Sequence, residues 1–258
     1  MSNQHKIIPG VDPKLVVKDA VKLMPDPMRR RFLTGAATLG ALTLLTGCNV
    51  IDGDSTENLL RKVSRFNDRV QALLFSETKL APTYAEKDIT RPFPFNAYYS
   101  EDQAPVVDPA TYKLELAGLI ENKKPWTLAE LHALPEVSQI TRHVCVEGWS
   151  AIGSWQGAVL SDFLKRVGAD TRAKYIWVHC AEGYTNTIDM PSALHPQTQM
   201  SFKFDHKLLP RAYGFPMKIR MPIKLGFKQP KYVVAIEVTN TNHGGYWSNQ
   251  GYNWYSGL

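Results

Sequence analysis

Apolar residues recur along this chain in two rhythms. Leu59, Val63, Phe66, Val70 and Leu73 follow one another at spacings of four, three, four and three, with Arg61, Lys62, Arg65 and Asp68 falling on other faces. That is the stripe of an amphipathic helix, and it predicts a helix packed by its apolar side on the domain. Residues 81–109 are rich in proline and polar groups, and Pro92 and Pro94 remove backbone donors, so irregular chain is expected there. Alternation of apolar and polar positions predicts strands over 111–117, 139–145, 175–180, 184–190, 217–221 and 231–239, with a turn at Glu182-Gly183. Thr127-Leu128-Ala129-Glu130 has the form of a capping box and predicts a short helix through Leu134. A second short helix is expected over 158–167, ended by Gly168. There is no internal repeat, and nothing from 57 to 258 is of low complexity. The fold class is α+β, one mixed domain with many short strands.

Composition changes this picture mainly at the N-terminus. With 258 residues and 44% hydrophobic content, the chain can bury a sizeable core. The formal net charge is +6, but residues 1–47 hold seven Lys/Arg and three Asp, which leaves +2 for the remainder. The one dense basic run is Arg29-Arg30-Arg31, so the concentrated basic face of a nucleic-acid binder is missing. After that run come Phe32-Leu33 and a mostly apolar or small stretch to Gly47, too short to span a membrane comfortably. The order is that of a signal peptide, and the run is similar to a twin-arginine export signal. Leu45-Thr46-Gly47-Cys48 resembles a lipoprotein processing box, which would make Cys48 the lipid-bearing first residue of a mature periplasmic protein held at a membrane surface. A short uncleaved anchor is the other reading. The expected organisation is a leader and signal over 1–47, a tether over 48–56 and a domain over 57–258. Export of folded protein raises the expectation of a cofactor inserted beforehand.

With Cys48 lipidated, Cys145 and Cys180 remain. Three fates are open to them. They can pair as a disulfide in an oxidising compartment. They can join a zinc site, although neither has a second Cys or His at a spacing such as C-x-x-C. Or one can act alone as a thiolate ligand to a soft or high-valent metal. No C-x-x-C-H heme motif or iron–sulfur cluster motif is present, so redox chemistry would require a separate electron-transfer partner.

The local sequence around Cys145 carries a resemblance. Arg142-His143-Val144-Cys145-Val146-Glu147-Gly148-Trp149 resembles the cysteine segment of the sulfite oxidase family, in particular its bacterial heme-free branch, which includes the catalytic subunit of periplasmic protein-methionine-sulfoxide reductase. The likeness continues through Trp155 and returns at Gly214-Phe215-Pro216-Met217-Lys218, at Pro222 and at Gly226-Phe227-Lys228-Gln229-Pro230-Lys231, covering roughly residues 57 to 240. It implies a sulfite oxidase-type molybdopterin-binding domain holding one molybdenum on one pyranopterin dithiolene, with Cys145 as the metal ligand and catalytic residue. It implies cofactor contacts at Asn96, Tyr99, Ser100, Cys180, Tyr213, Lys218, Lys228, Gln229 and Lys231. Several of these depart from the family pattern. Ser100 stands where relatives carry an acidic residue, Cys180 at a threonine position and Tyr213 where Asn or His is found. Lys218 replaces an arginine, losing the bidentate fork, and Arg220 on the same strand face can compensate. Trp149 and Trp155 are expected to pack, and His143 to be a satisfied core histidine.

The reaction the resemblance implies is two-electron oxygen-atom transfer, in first place the reduction of S- or N-oxides such as methionine sulfoxide, small or protein-bound. The alternatives are a sulfite dehydrogenase, or a non-catalytic lipoprotein with a Cys145–Cys180 disulfide. The expected electron partner is a membrane heme- and quinol-linked subunit or a periplasmic cytochrome. No C-terminal dimerisation domain is expected, hence a monomer. The aromatic tail, Tyr246-Trp247 through Trp254-Tyr255, is expected to pack across the domain surface, with partner docking as the second reading.

Overall fold

The computed structural model describes residues 53–258, with side chains from residue 57. The expected leader and signal, and Cys48 with them, lie outside the described residues. Contacts divide the chain between Leu59 and Leu60, and the second unit, Leu60–Leu258, carries everything below except the opening turns of the first helix.

That helix, α1, runs Gly53–Leu74, so residues 53–56 of the expected tether are already helical. Its apolar stripe does not pack on the domain: Phe66 is 64% exposed and Leu73 84%. The polar side docks instead. Asp68 Oδ1 accepts from Tyr255 N at 2.6 Å, Gln71 Oε1 from Gly257 N at 3.1 Å, and the Ser64 carbonyl from Asn253 Nδ2 at 3.3 Å. The correction has a physical cause. The tail presents backbone donors at this seam, and a partly buried N–H needs an acceptor that an apolar stripe cannot supply.

Among the described residues, short strands form two five-stranded sheets. The first contains β1 (Lys113–Gly118), β2 (Trp126–Thr127), β5 (Tyr175–Cys180), β6 (Thr185–Asp189) and β10 (Val233–Thr239), in the order β2-β1-β10-β5-β6. Its β1–β10 pair is parallel and its other pairs antiparallel. The second contains β3 (Val137–Val144), β4 (Ser150–Val159), β7 (Gln199–Phe204) and β8 (Lys207–Leu208) in chain order, with β9 (Lys218–Arg220) added to β7; all its pairs are antiparallel. Helices α2 (Leu128–His132), α3 (Leu160–Arg166) and α4 (Met190–Leu194) are short. The capping box forms as predicted: Thr127 Oγ1 accepts from Glu130 N at 3.3 Å and Glu130 Oε2 from Thr127 N at 2.8 Å. Helix α3 starts later than expected because Ala158 and Val159 finish β4, and it buries Leu160, Phe163 and Leu164.

Strands β4 and β7 are not foretold by the hydrophobic pattern. β4 is largely buried along both faces, so its residues are small or aromatic rather than alternating. Its register shifts between Gln156 and Gly157, and there β7 comes so close that a Cβ on Gly157 would lie 1.9 Å from the Met200 carbonyl oxygen. β4 also carries fully buried Trp155, the centre of a small aromatic core with Phe93, Phe204 and Leu209. Gly157→Ala should therefore cost about 1–3 kcal/mol of stability by forcing β4 and β7 apart. A fall in the urea midpoint checks this, and an unchanged midpoint would show that the close approach is not rigid.

Candidate functional site

Strand β3 ends at Val144, so Cys145 is the first residue beyond the sheet. A tight turn holds it there. Cys145 N donates to the Trp149 carbonyl at 2.9 Å, and Gly148 N donates to the Cys145 carbonyl at 3.2 Å. The side chain is buried, with Sγ 3.7 Å from Glu147 Oε2, an oxygen that also accepts from Trp149 Nε1 at 3.0 Å. Burial pushes the thiol pKa up, and the negative charge of Glu147 adds to the rise against the backbone amides of Glu147 and Val146. Cys145 and Cys180 are both free thiols, so no disulfide joins them.

Cys145 faces a cavity of about 750 Å³, part of it open to solvent. Its walls come from both sheets. β9 supplies Lys218, the β5–β6 turn supplies Glu182, and the segment before β10 supplies Gln229 and Lys231. The irregular chain before β1 adds Asn96 and Tyr99. Six of the sequence-predicted residues are thus brought together: Asn96, Tyr99, Cys145, Lys218, Gln229 and Lys231.

The second row of contacts fixes these side chains. Asn96 Nδ2 lies 3.2 Å from His143 Nε2. Burial first, then Lys218 and Arg220, hold His143 well below its ordinary pKa, which favours the neutral ring. Its Nδ1 is buried without a partner. A Cβ on Gly226 would fall 2.4 Å from His143 Nε2, which explains why glycine stands there. Arg220 is fully buried and does not line the cavity; it donates to Gln229 Oε1, to Thr141 Oγ1 at 3.1 Å and to the Arg142 carbonyl at 2.7 Å, and so holds Gln229 in the wall. Lys231 Nζ donates to the Ala212 carbonyl at 3.0 Å and stands 4.6 Å from the Phe95 ring centroid. Lys218 is different. It is 2% exposed, its Nζ lies 4.9 Å from the Trp155 ring, and among the described residues no hydrogen bond or ion pair reaches it. Burial, then the charges of Lys231 and Arg220, push its pKa well down.

Four predicted residues lie outside the cavity lining. Ser100 stands just before a 3₁₀ turn at Glu101–Gln103 on the exposed surface, without a side-chain capping bond to it. Cys180 is buried in the main core, its N–H donating to the Tyr184 carbonyl at 2.9 Å. Tyr213 gives its hydroxyl to the Phe93 carbonyl at 2.7 Å and packs on the small aromatic core. Lys228 is buried but turned the other way, with Nζ donating to Asn186 Oδ1 at 2.7 Å and the Thr187 carbonyl at 2.8 Å.

Other lining residues escape sequence reasoning. Glu182 sits in the predicted turn, where an acidic residue beside glycine reads as solvated. Here burial pushes its carboxyl up to about 7, against the pull of Lys231, and its Oε2 is buried without a partner. Tyr98, Phe227, Trp247 and Tyr252 form an aromatic part of the wall. The last two bring the tail to the cavity, and Trp247 and Tyr252 meet edge-on with centroids 5.1 Å apart.

Comparison with known proteins fits this geometry. Residues 101–247 match the model of the oxidoreductase molybdopterin binding domain family. The chain is 56% identical over 240 residues to the "Putative protein-methionine-sulfoxide reductase subunit YedZ1" of Azospira oryzae, covering 93% of this chain and 92% of that one. It is 29% identical over 184 residues to the protein-methionine-sulfoxide reductase catalytic subunit MsrP of Ralstonia nicotianae, covering 60% of this chain and 55% of the relative. The sulfane dehydrogenase SoxCD of Paracoccus pantotrophus shares the fold, with a TM-score of 0.51 and 17% identity over 54% of this chain and 41% of that one.

The raised Glu182 carboxyl has a thermodynamic signature. Its folded pKa, about 7, lies above the ordinary 4.5, so between those values the folded chain keeps a proton that the unfolded chain has lost. This group therefore favours the folded state fully below about pH 4.5, and the contribution is lost as pH rises toward about 7. Glu182→Gln should gain stability relative to the parent as pH is raised from about 5 to about 8. Urea midpoints at each pH test this, and a difference that stays constant with pH would remove Glu182 as the cause.

Proposed function

Because the chain belongs to the oxidoreductase molybdopterin binding domain family, and is thus a molybdenum-dependent oxidoreductase, we propose that Cys145 holds the metal and that the enzyme reduces sulfoxides such as methionine sulfoxide. The observation that carries this is a buried free thiol facing a cavity that is also lined by Lys218, whose amine has no hydrogen bond or ion pair among the described residues.

The residues present fit a molybdopterin. A cation buried without an anion is costly, and an anionic cofactor with a terminal phosphate supplies what Lys218 lacks, with Lys231 beside it in the wall. Asn96 and Gln229 offer neutral amides, each oriented by a buried neighbour, His143 and Arg220 respectively. Cys145 must give up its proton to bind a metal, and a cation next to sulfur favours that loss. When bound, the molybdenum centre supplies two-electron oxygen-atom transfer; the protein positions and tunes it.

The cavity's own chemistry favours a sulfoxide over sulfite. Sulfite is a doubly charged anion and calls for several free cations, whereas this wall includes two acidic side chains, Glu147 and Glu182. The aromatic part of the wall suits a neutral thioether or its oxide. Reducing a sulfoxide to a sulfide and water consumes two electrons and two protons. Glu182, with a pKa of about 7 and Oε2 unpartnered, can hold one of those protons near neutral pH. Electrons arrive through a separate protein, a membrane heme- and quinol-linked subunit in first place and a soluble cytochrome in second. The names of the relatives, a reductase subunit and a catalytic subunit, support a partnered enzyme. Location in the periplasm, with a lipid on Cys48, belongs to the same proposal.

Protein exported through its own leader should contain about one molybdenum per chain, and Cys145→Ser should retain under about a tenth of it. Equal metal in both would remove Cys145 as the ligand. With a reduced artificial carrier the loaded enzyme should turn over methionine sulfoxide. Sulfite oxidation without sulfoxide turnover would reverse the direction proposed.

A further inference from the structure

Helix α1 wears its amphipathic sides in reverse. The side chains partly buried between residues 57 and 74 are Ser64, Asp68 and Gln71, the ones that meet the tail. At roughly 100° per residue, Val63, Phe66, Val70 and Leu73 lie on the side turned away from that seam, with Leu74 at its flank. Each is exposed, Val70 least at 37% and Leu73 most at 84%. Single exposed apolar residues need no explanation, but a continuous stripe along about three turns does.

Charge says what covers it. Lys62 and Arg69 fall along one edge of the stripe, with Arg65 behind them, and all three are exposed. The acidic residues between 57 and 74 are Glu57 and Asp68, and Asp68 is spent on the domain side. No described helix is long and apolar enough to cross a membrane. A helix with Leu and Phe on one side, basic residues beside them and low overall hydropathy is suited to lie in the plane of a bilayer surface. We propose that α1 lies along an anionic lipid surface, with its apolar side sunk at the headgroup boundary and Lys62, Arg65 and Arg69 on lipid phosphates. The polar seam with the tail then holds the domain on the water side. This is independent of lipid on Cys48 and of the substrate.

Cysteine labelling on the full chain tests it, in a Cys48→Ser background so that no attached lipid contributes. Cys145 and Cys180 are buried, so an introduced thiol dominates the reaction with a water-soluble maleimide. Val63→Cys places the thiol in the stripe and Ala72→Cys places it on the far side, both at exposed positions. Vesicles of phosphatidylcholine with about 30 mol% phosphatidylglycerol should slow labelling of the first at least about fivefold and leave the second unchanged. Adding Lys62→Glu and Arg69→Glu should weaken vesicle binding at least about tenfold. Equal protection of both thiols, or none, overturns the proposal. So does protection on pure phosphatidylcholine that matches the anionic vesicles. Protection without lipid that grows with protein concentration would assign the stripe to a second copy of the chain.

Discussion

Taking a cation out of water costs several kcal/mol unless something answers its charge. The stretch from β9 to β10 buries four: Lys218, Arg220, Lys224 and Lys228 are each 2% exposed or less. How each charge is answered determines much of the architecture. Lys224 stands 3.2 Å from a carboxylate oxygen of Asp189 and 3.0 Å from the Tyr255 ring centroid, tying the end of β6 to the tail. Lys228 is taken up by Asn186 and Thr187, also on β6. Arg220 reaches Thr141 and Arg142 on β3. One irregular segment therefore staples the two sheets together through charge-assisted hydrogen bonds, which are about twice as strong as neutral ones.

Lys218 is the member of this set left over. Burial and two neighbouring cations depress its pKa, and it faces the cavity beside Cys145. Lys231 is likewise lowered to about 8, with burial the main cause and the carboxylates of Glu182 and Glu101 opposing it. A negative group entering the cavity would reverse the penalty on both. Cofactor binding and stability are then one equilibrium, since whatever binds only the folded chain also stabilises it. The same logic gives the Glu182 carboxyl its place: burial alone favours its neutral form, and Lys231 keeps the shift from going further.

What the sequence made legible was the chemistry of short contiguous segments. The cysteine segment, the lysine-rich segment and the capping box each carry their geometry locally, so Cys145, Lys218, Gln229 and Lys231 could be named together before any contact was known. What it hid depends on contacts between distant segments. β4 looks like loop because a strand covered on both faces, crossed closely by β7 at Gly157, selects small residues in place of alternation. Lys228 looks like a cavity residue because Gln229 and Lys231 beside it are, but the turn at Gly226–Lys228 points it into the core. The stripe of α1 predicts packing, and the pattern alone cannot say that the polar side is the one that docks.

The C-terminal tail shows how these parts bear on each other. Trp247 and Tyr252 stand in the cavity wall. A few residues on, Tyr255 covers Lys224 with its ring and meets Asp68 of α1 through its N–H. Leu225 N donates to the Ser256 carbonyl at 3.0 Å, and Gly257 N to Gln71 of α1. One short segment thus touches the wall, the cation staple and the helix whose outer side is apolar. Residues this close in sequence, each held by backbone hydrogen bonds, leave little slack between the surface that α1 offers and the aromatic side of the cavity. If α1 settles on a bilayer, the orientation of the cavity relative to that surface follows from these bonds and not from a flexible linker. An electron donor embedded in the same membrane would meet a fixed face of the enzyme, which is the geometric condition for transfer over a short distance in a chain with no heme motif of its own.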